Sequence, residues 1–135
     1  MQRATAVGIL ALLFAGCMMT PEEVRKDGRI YTLASTLPPS RAAACIARAF
    51  ESAREHLDLI DGWHMASIRD GAQPGTIEVL VDVKLGEGFR LTYIDVAPAP
   101  GGSAARIAFQ LRVTPDYLQE QMFALLKKRC ASGER

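Results

Sequence analysis

TIEVLVDVK, running from Thr76 to Lys84, decides the fold. Ile77, Val79, Val81 and Val83 alternate with Glu78, Leu80, Asp82 and Lys84, a period of two that sends one set to each side of a β-strand. Phe89 to Val96 continues the alternation through Phe89, Leu91 and Tyr93, and Ala105 to Val113 repeats it with Ile107, Phe109, Leu111 and Val113 set against Arg106, Ala108, Gln110 and Arg112. Trp63 to Arg69 is a weaker strand, and Arg29 to Ala34 is rich in β-favouring residues. Gly71-Ala72-Gln73-Pro74-Gly75, Gly86-Glu87-Gly88 and Pro98-Ala99-Pro100-Gly101-Gly102 carry turn chemistry, and connections this short make the strands antiparallel neighbours. Keeping the apolar sets on one face, a three-residue loop Gly86-Glu87-Gly88 puts Leu85 opposite Phe89, Val83 opposite Leu91 and Val81 opposite Tyr93. On the other face it puts Leu80 opposite Ile94, Asp82 opposite Thr92 and Lys84 opposite Arg90, a like-charge pair that an acidic contact would relieve.

Outside these strands the period changes to that of a helix. After Leu37-Pro38-Pro39-Ser40, Ala42, Cys45, Ile46, Ala49, Phe50, Ala53 and Leu57 recur every three or four residues. Thr114-Pro115-Asp116 opens a second helix whose stripe is Leu118, Met122, Leu125, Leu126 and Cys130, with Lys127, Lys128 and Arg129 complementing its carboxyl end. The order β-α-β-β-β-β-α gives an α+β two-layer sandwich: an antiparallel meander sheet with both helices on its apolar face, the place of the first strand being open. The uncovered face then carries Glu78, Leu80, Asp82, Lys84, Arg90, Thr92, Ile94, Arg106, Gln110 and Arg112. Of these, Leu80, Asp82, Lys84, Arg90, Ile94, Arg106 and Arg112 form the candidate interaction face.

The 135 residues are 49% hydrophobic, 23% charged and 7% aromatic, the proportions of one ordinary globular domain and too short a chain for a TIM barrel. Sixteen basic against fifteen acidic residues leave +1, which gives no electrostatic reason for a nucleic-acid partner. At the start, Arg3 precedes an unbroken apolar run from Ala4 to Ala15, long enough for a signal peptide and too short to span a bilayer as a helix. The run closes in Leu13-Phe14-Ala15-Gly16-Cys17, and here the chain resembles a bacterial lipoprotein precursor. That resemblance implies cleavage before Cys17, a diacylglyceryl thioether on its sulfur and a fatty acyl group on its new amino terminus, so that the partner is the lipid bilayer. Met18, rather than Asp, after the cysteine favours by the same likeness a periplasm-facing place on the outer membrane over the inner one. The divisions are a signal peptide at 1–16, a flexible lipid-attached tether at 17–28, the α+β domain at 29–130 and a polar tail at 131–135.

With Cys17 given to lipid, Cys45 and Cys130 remain in an oxidising compartment, both on the buried stripes of their helices, and a disulfide between them is expected. Two Cys with only His56 and His64 at hand lack zinc-site spacing, and neither a metal nor a cofactor is expected. Leu37-Pro38-Pro39 with Ala44-Cys45-Ile46-Ala47, followed by a Cys ending a second helix, also looks like a set of small uncharacterised proteobacterial lipoproteins; that likeness speaks to fold and disulfide and brings no activity.

The densest polar stretch is His56-Leu57-Asp58-Leu59-Ile60-Asp61-Gly62-Trp63-His64. Its imidazoles and carboxylates suit acid–base work or ligand binding, but they also suit the end of a helix turning into a strand. No Gly-x-Ser-x-Gly elbow, phosphate-cradling loop or Cys/His dyad is present in the sequence. The sequence therefore points to a non-catalytic envelope module that docks another envelope component through its open sheet face or an exposed strand edge. The alternative is a small-ligand binder or hydrolase with a pocket near Asp58, Asp61 and His64.

Overall fold

The computed structural model describes residues 21–27, 29–53, 64–83, 89–109 and 116–132. In chain order the elements are α1 (Pro21–Asp27), β1 (Ile30–Ser35), α2 (Pro39–Glu51), β2 (His64–Asp70), β3 (Ile77–Val83), β4 (Phe89–Ala99), β5 (Gly102–Phe109) and α3 (Asp116–Cys130). The strands make one antiparallel sheet in the order β1-β5-β4-β3-β2, with the first strand of the chain beside the last. This is the α+β sandwich expected from the alternation, with β1 now placed at an edge.

β4 and β5 join through Pro100-Gly101, the first paired residues being Ala99 and Gly102. Proline fixes the first turn position and Gly101, at φ 79°, supplies the left-handed second one that a side chain resists. A Cβ on Gly102 would collide with the carbonyl oxygen of Ser35, so glycine is required where the chain end of β1 crosses this hairpin.

α2 begins at Pro39 because Pro38 is held extended at φ −63°, ψ 158°, and the Ala42 amide closes the first turn by donating to the Pro38 carbonyl at 2.9 Å. Its stripe of Ala42, Ile46, Ala49 and Phe50, with Ala53 just past its end, is buried against Val79, Val81, Ile94, Val96, Ala105, Ile107 and Phe109 of the sheet. Met122, Leu126 and Cys130 of α3 enter the same core, so both long helices lie on one face. Cys45 and Cys130 are bonded, with Cα atoms 5.8 Å apart across 85 residues. Close by, the Ser35 hydroxyl donates to the Cys130 carbonyl at 2.5 Å and the Thr36 amide donates to the Ala131 carbonyl at 2.8 Å, occupying carbonyls that the end of α3 leaves unpaired.

Two expectations are corrected. The hairpin register follows Val79 opposite Ile94, Leu80 opposite Tyr93 and Val81 opposite Thr92, then jumps to Asp82 opposite Arg90 and Val83 opposite Phe89. Leu91 is left over on β4, a one-residue irregularity that reverses the face of everything beyond it. Ile94 is therefore fully buried on the helix side and Thr92 lies beside it, while Tyr93 turns to the other face. Arg90 stands opposite Asp82 rather than Lys84, so the like-charge pair is gone; Lys84 and Leu85 lie outside the described residues.

The second correction concerns residues 17–28. Over 21–27 the chain is not a structureless tether but the helix α1, docked on the face opposite the long helices. Its contact with the core runs through one apolar residue, Val24, which is 1% exposed and packs on Leu80, Tyr93, Ala108 and Ile30.

Candidate interaction surface on the outer sheet face

The register arranges the face away from α2 and α3 in rows that cross all five strands. One row reads Ile30, Ala108, Tyr93, Leu80, Ser67, an apolar strip with a polar end, and Val24 covers it. The next reads Thr32, Arg106, Asp95, Glu78, Arg69, in which two carboxylates stand side by side between two arginines. Adjacent acids repel unless cations meet them, and Arg25, one residue on from Val24, does so from above. Its Nη2 donates to Glu78 Oε1 at 2.7 Å and to Asp95 Oδ1 at 3.3 Å, and its Nε donates to Asp95 Oδ2 at 3.1 Å. The same guanidinium lies 5.2 Å from the centre of the Tyr93 ring, a cation–π distance.

Arg69 completes the clamp from the flank, its Nε donating to Glu78 Oε2 at 3.2 Å and its Nη2 to Glu78 Oε1 at 3.0 Å. Burial pushes the Glu78 carboxyl up, but hydrogen bonds from Arg69 and the charge and hydrogen bond of Arg25 outweigh it and hold the group below its ordinary range. For Arg25 burial works against the charged form, and Asp95 and Glu78 reverse it. A carboxylate only 7% exposed is thus kept ionised by two guanidinium groups.

Beyond the charged row the side chains shrink to Ala34, Ala104 and Ala97, which are paired across β1, β5 and β4. The step from large to small residues leaves an open depression of about 610 Å³, bordered by Arg25, Thr32, Arg106, Gln73 and Thr76. Arg106 is exposed at its rim, and among the described residues it makes no ion pair. At the far edge of the sheet, β2 has one strand neighbour among the described residues, and it exposes Met65 (55%) and Ile68 (50%).

Of the residues expected on the open face, Glu78, Leu80, Asp82 and Arg106 are on it; Ile94 and Thr92 are on the helix side. Leu80 is not available to a partner, being 2% exposed under α1. Gln110 and Arg112, with Lys84, lie outside the described residues, as do His56, Asp58, Asp61 and Trp63; His64 opens β2. Asp58 and Asp61, the carboxylates of the alternative pocket near His64, therefore fall outside the described part of the chain. Among the described residues no three His, Cys, Asp or Glu gather into a metal-binding group, and no helix is long and apolar enough to cross a membrane.

Sequence reasoning missed Val24, Arg25, Arg69 and Asp95. Part of the signal was present: the open face was read as carrying Leu80 and Ile94, large side chains that need a cover, and in the structure Tyr93 takes the place of Ile94 beside Leu80. No family model and no curated protein matches this chain.

Proposed function

We propose that this protein is a lipid-anchored component of the cell envelope, held by an acylated Cys17, periplasm-facing and on the outer membrane, and that it acts as a non-catalytic module docking another envelope component. The reading of the anchor rests on the apolar run that stops at Ala15-Gly16-Cys17. The docking part rests on one observation: the outer sheet face keeps an exposed arginine, Arg106, at the rim of a depression floored by Ala97 and Ala104. A surface of small residues beside an exposed guanidinium that makes no ion pair among the described residues fits the carboxylate-bearing side chain of a protein partner, since Arg pairs bidentately with carboxylates.

The anchor is tested with Cys17→Ser. That variant accumulates as unprocessed precursor without radioactive fatty acid, and normal processing with labelling would refute the lipid anchor. Docking is tested by crosslinking the lipidated protein in membranes and comparing capture by Arg106→Glu. Loss of a specific crosslinked product with unchanged melting temperature supports the reading, and an identical crosslinking pattern overturns it.

A further inference from the structure

We infer that α1 is a clasp that shortens the lipid tether, so that the domain is held against the phospholipid headgroup surface in one orientation; this rests on the lipid anchor at Cys17 proposed above. Only Met18, Met19 and Thr20 separate Cys17 from Pro21. With α1 docked, the four residue steps from Cys17 to Pro21 span at most ~14 Å. Were the chain free as far as Ile30, thirteen steps would allow up to ~45 Å, more than the ~33 Å diameter of a domain of this size. The clasp therefore decides whether the domain lies at the bilayer surface or ranges above it.

The contacts suit a clasp. A seven-residue helix has too few turns to persist alone, so α1 exists because Val24 is buried and Arg25 is bonded to both Glu78 and Asp95. Those contacts reach two strands at the middle of the sheet, β3 and β4, which fixes α1 to the rigid part of the domain. Exposed Glu22 and Glu23 in its first turn, next to the lipid attachment, favour a zwitterionic over an anionic headgroup layer.

The test uses the full-length lipidated protein in phosphatidylcholine and phosphatidylethanolamine vesicles carrying a headgroup-linked acceptor dye. The donor is placed at Met65→Cys or Tyr117→Cys, exposed positions on β2 and α3, with the Cys45–Cys130 bond intact. The wild-type background gives high transfer that differs between the two labels. In Val24→Ser/Arg25→Glu, both efficiencies fall about twofold and converge, as a flexible tether of this length implies. An insertion of eight Gly/Ser residues between Thr20 and Pro21 leaves the fold untouched and produces the same fall. Transfer unchanged by the insertion would overturn the short-tether inference while leaving the anchor standing. A fall with the insertion but none with the double variant overturns the role of Val24 and Arg25. Protein that fails to stay on vesicles overturns the anchor, and the inference with it.

Discussion

Reducing the Cys45–Cys130 bond should cost this domain a large part of its stability without changing its fold. The bond closes a loop of 85 residues, for which loop-closure entropy gives an upper figure of about 4.5 kcal/mol, with about 2–4 kcal/mol usual in practice. The folded state has other means of holding α3: Met122 and Leu126 remain buried, and the Ser35 and Thr36 hydrogen bonds to Cys130 and Ala131 do not need sulfur. The loss therefore acts on the unfolded chain, which regains the freedom that the bond denied it. Urea unfolding of the protein, with and without reductant, measures it. With a slope near 1.5 kcal/mol/M, the midpoint falls by about 1.3–2.7 M. Cys45→Ala/Cys130→Ala should lose up to about 1 kcal/mol more, because Cys130 is fully buried and its sulfur leaves a void. A reduced protein whose midpoint lies within about 0.3 M of the oxidised one would refute the reasoning.

Glu78→Gln should cost about 1–3 kcal/mol at pH 7 by leaving two arginines facing a neutral amide. Because the folded Glu78 titrates below its unfolded value, its contribution is complete above about pH 4.5 and fades as pH falls through the folded value; the gap between wild type and variant in urea midpoint must narrow from pH 7 to pH 3, and a constant gap overturns the assignment. Ile94→Asp should destabilise by about 4 kcal/mol or more, since Ile94 is fully buried, whereas Met65→Asp on the exposed edge should stay within about 0.5 kcal/mol; similar melting temperatures for the two would contradict the observed register. Tyr31→Phe removes a buried hydroxyl that has no hydrogen-bond partner among the described residues but keeps the ring's edge contact with Phe109 and its tilted contact with Phe123, so stability should hold or rise by up to about 1 kcal/mol, and a clear loss would refute it.

The strands, both long helices and the disulfide were legible because each depends on a pattern with one answer. Alternation in Ile77 to Val83 fixes a half-buried strand, and of the three cysteines Cys45 and Cys130 are the two that fall on apolar helix stripes. β4 had no single answer: Leu91, Tyr93, Ile94 and Val96 offer apolar residues to both faces, and a period of two cannot choose between them. The ambiguity has a physical cause, since the outer face is also partly covered and so also carries apolar side chains. What covers it was illegible in turn, for a helix held by one valine and one arginine has no periodicity to detect. The outer charged row was half visible: Glu78 and Arg106 were read on it, while Asp95 was hidden by the misplaced register of Ile94.

The place of β1 in the sheet has a consequence for the order in which the chain can mature. Ile30 pairs with Ala108 and Ser35 with Ser103, the Ser35 hydroxyl reaches the Cys130 carbonyl, and Cys45 is bonded to Cys130, so the first third of the sequence is finished by the last quarter. A chain that emerges amino terminus first holds β1 unpaired, and Cys45 as a free thiol, until nearly all of it has been released. The sheet cannot reach its native order before β5 is released, and any truncated product ending before β5 lacks both the native neighbour of its first strand and the crosslink, which leaves it open to proteolysis.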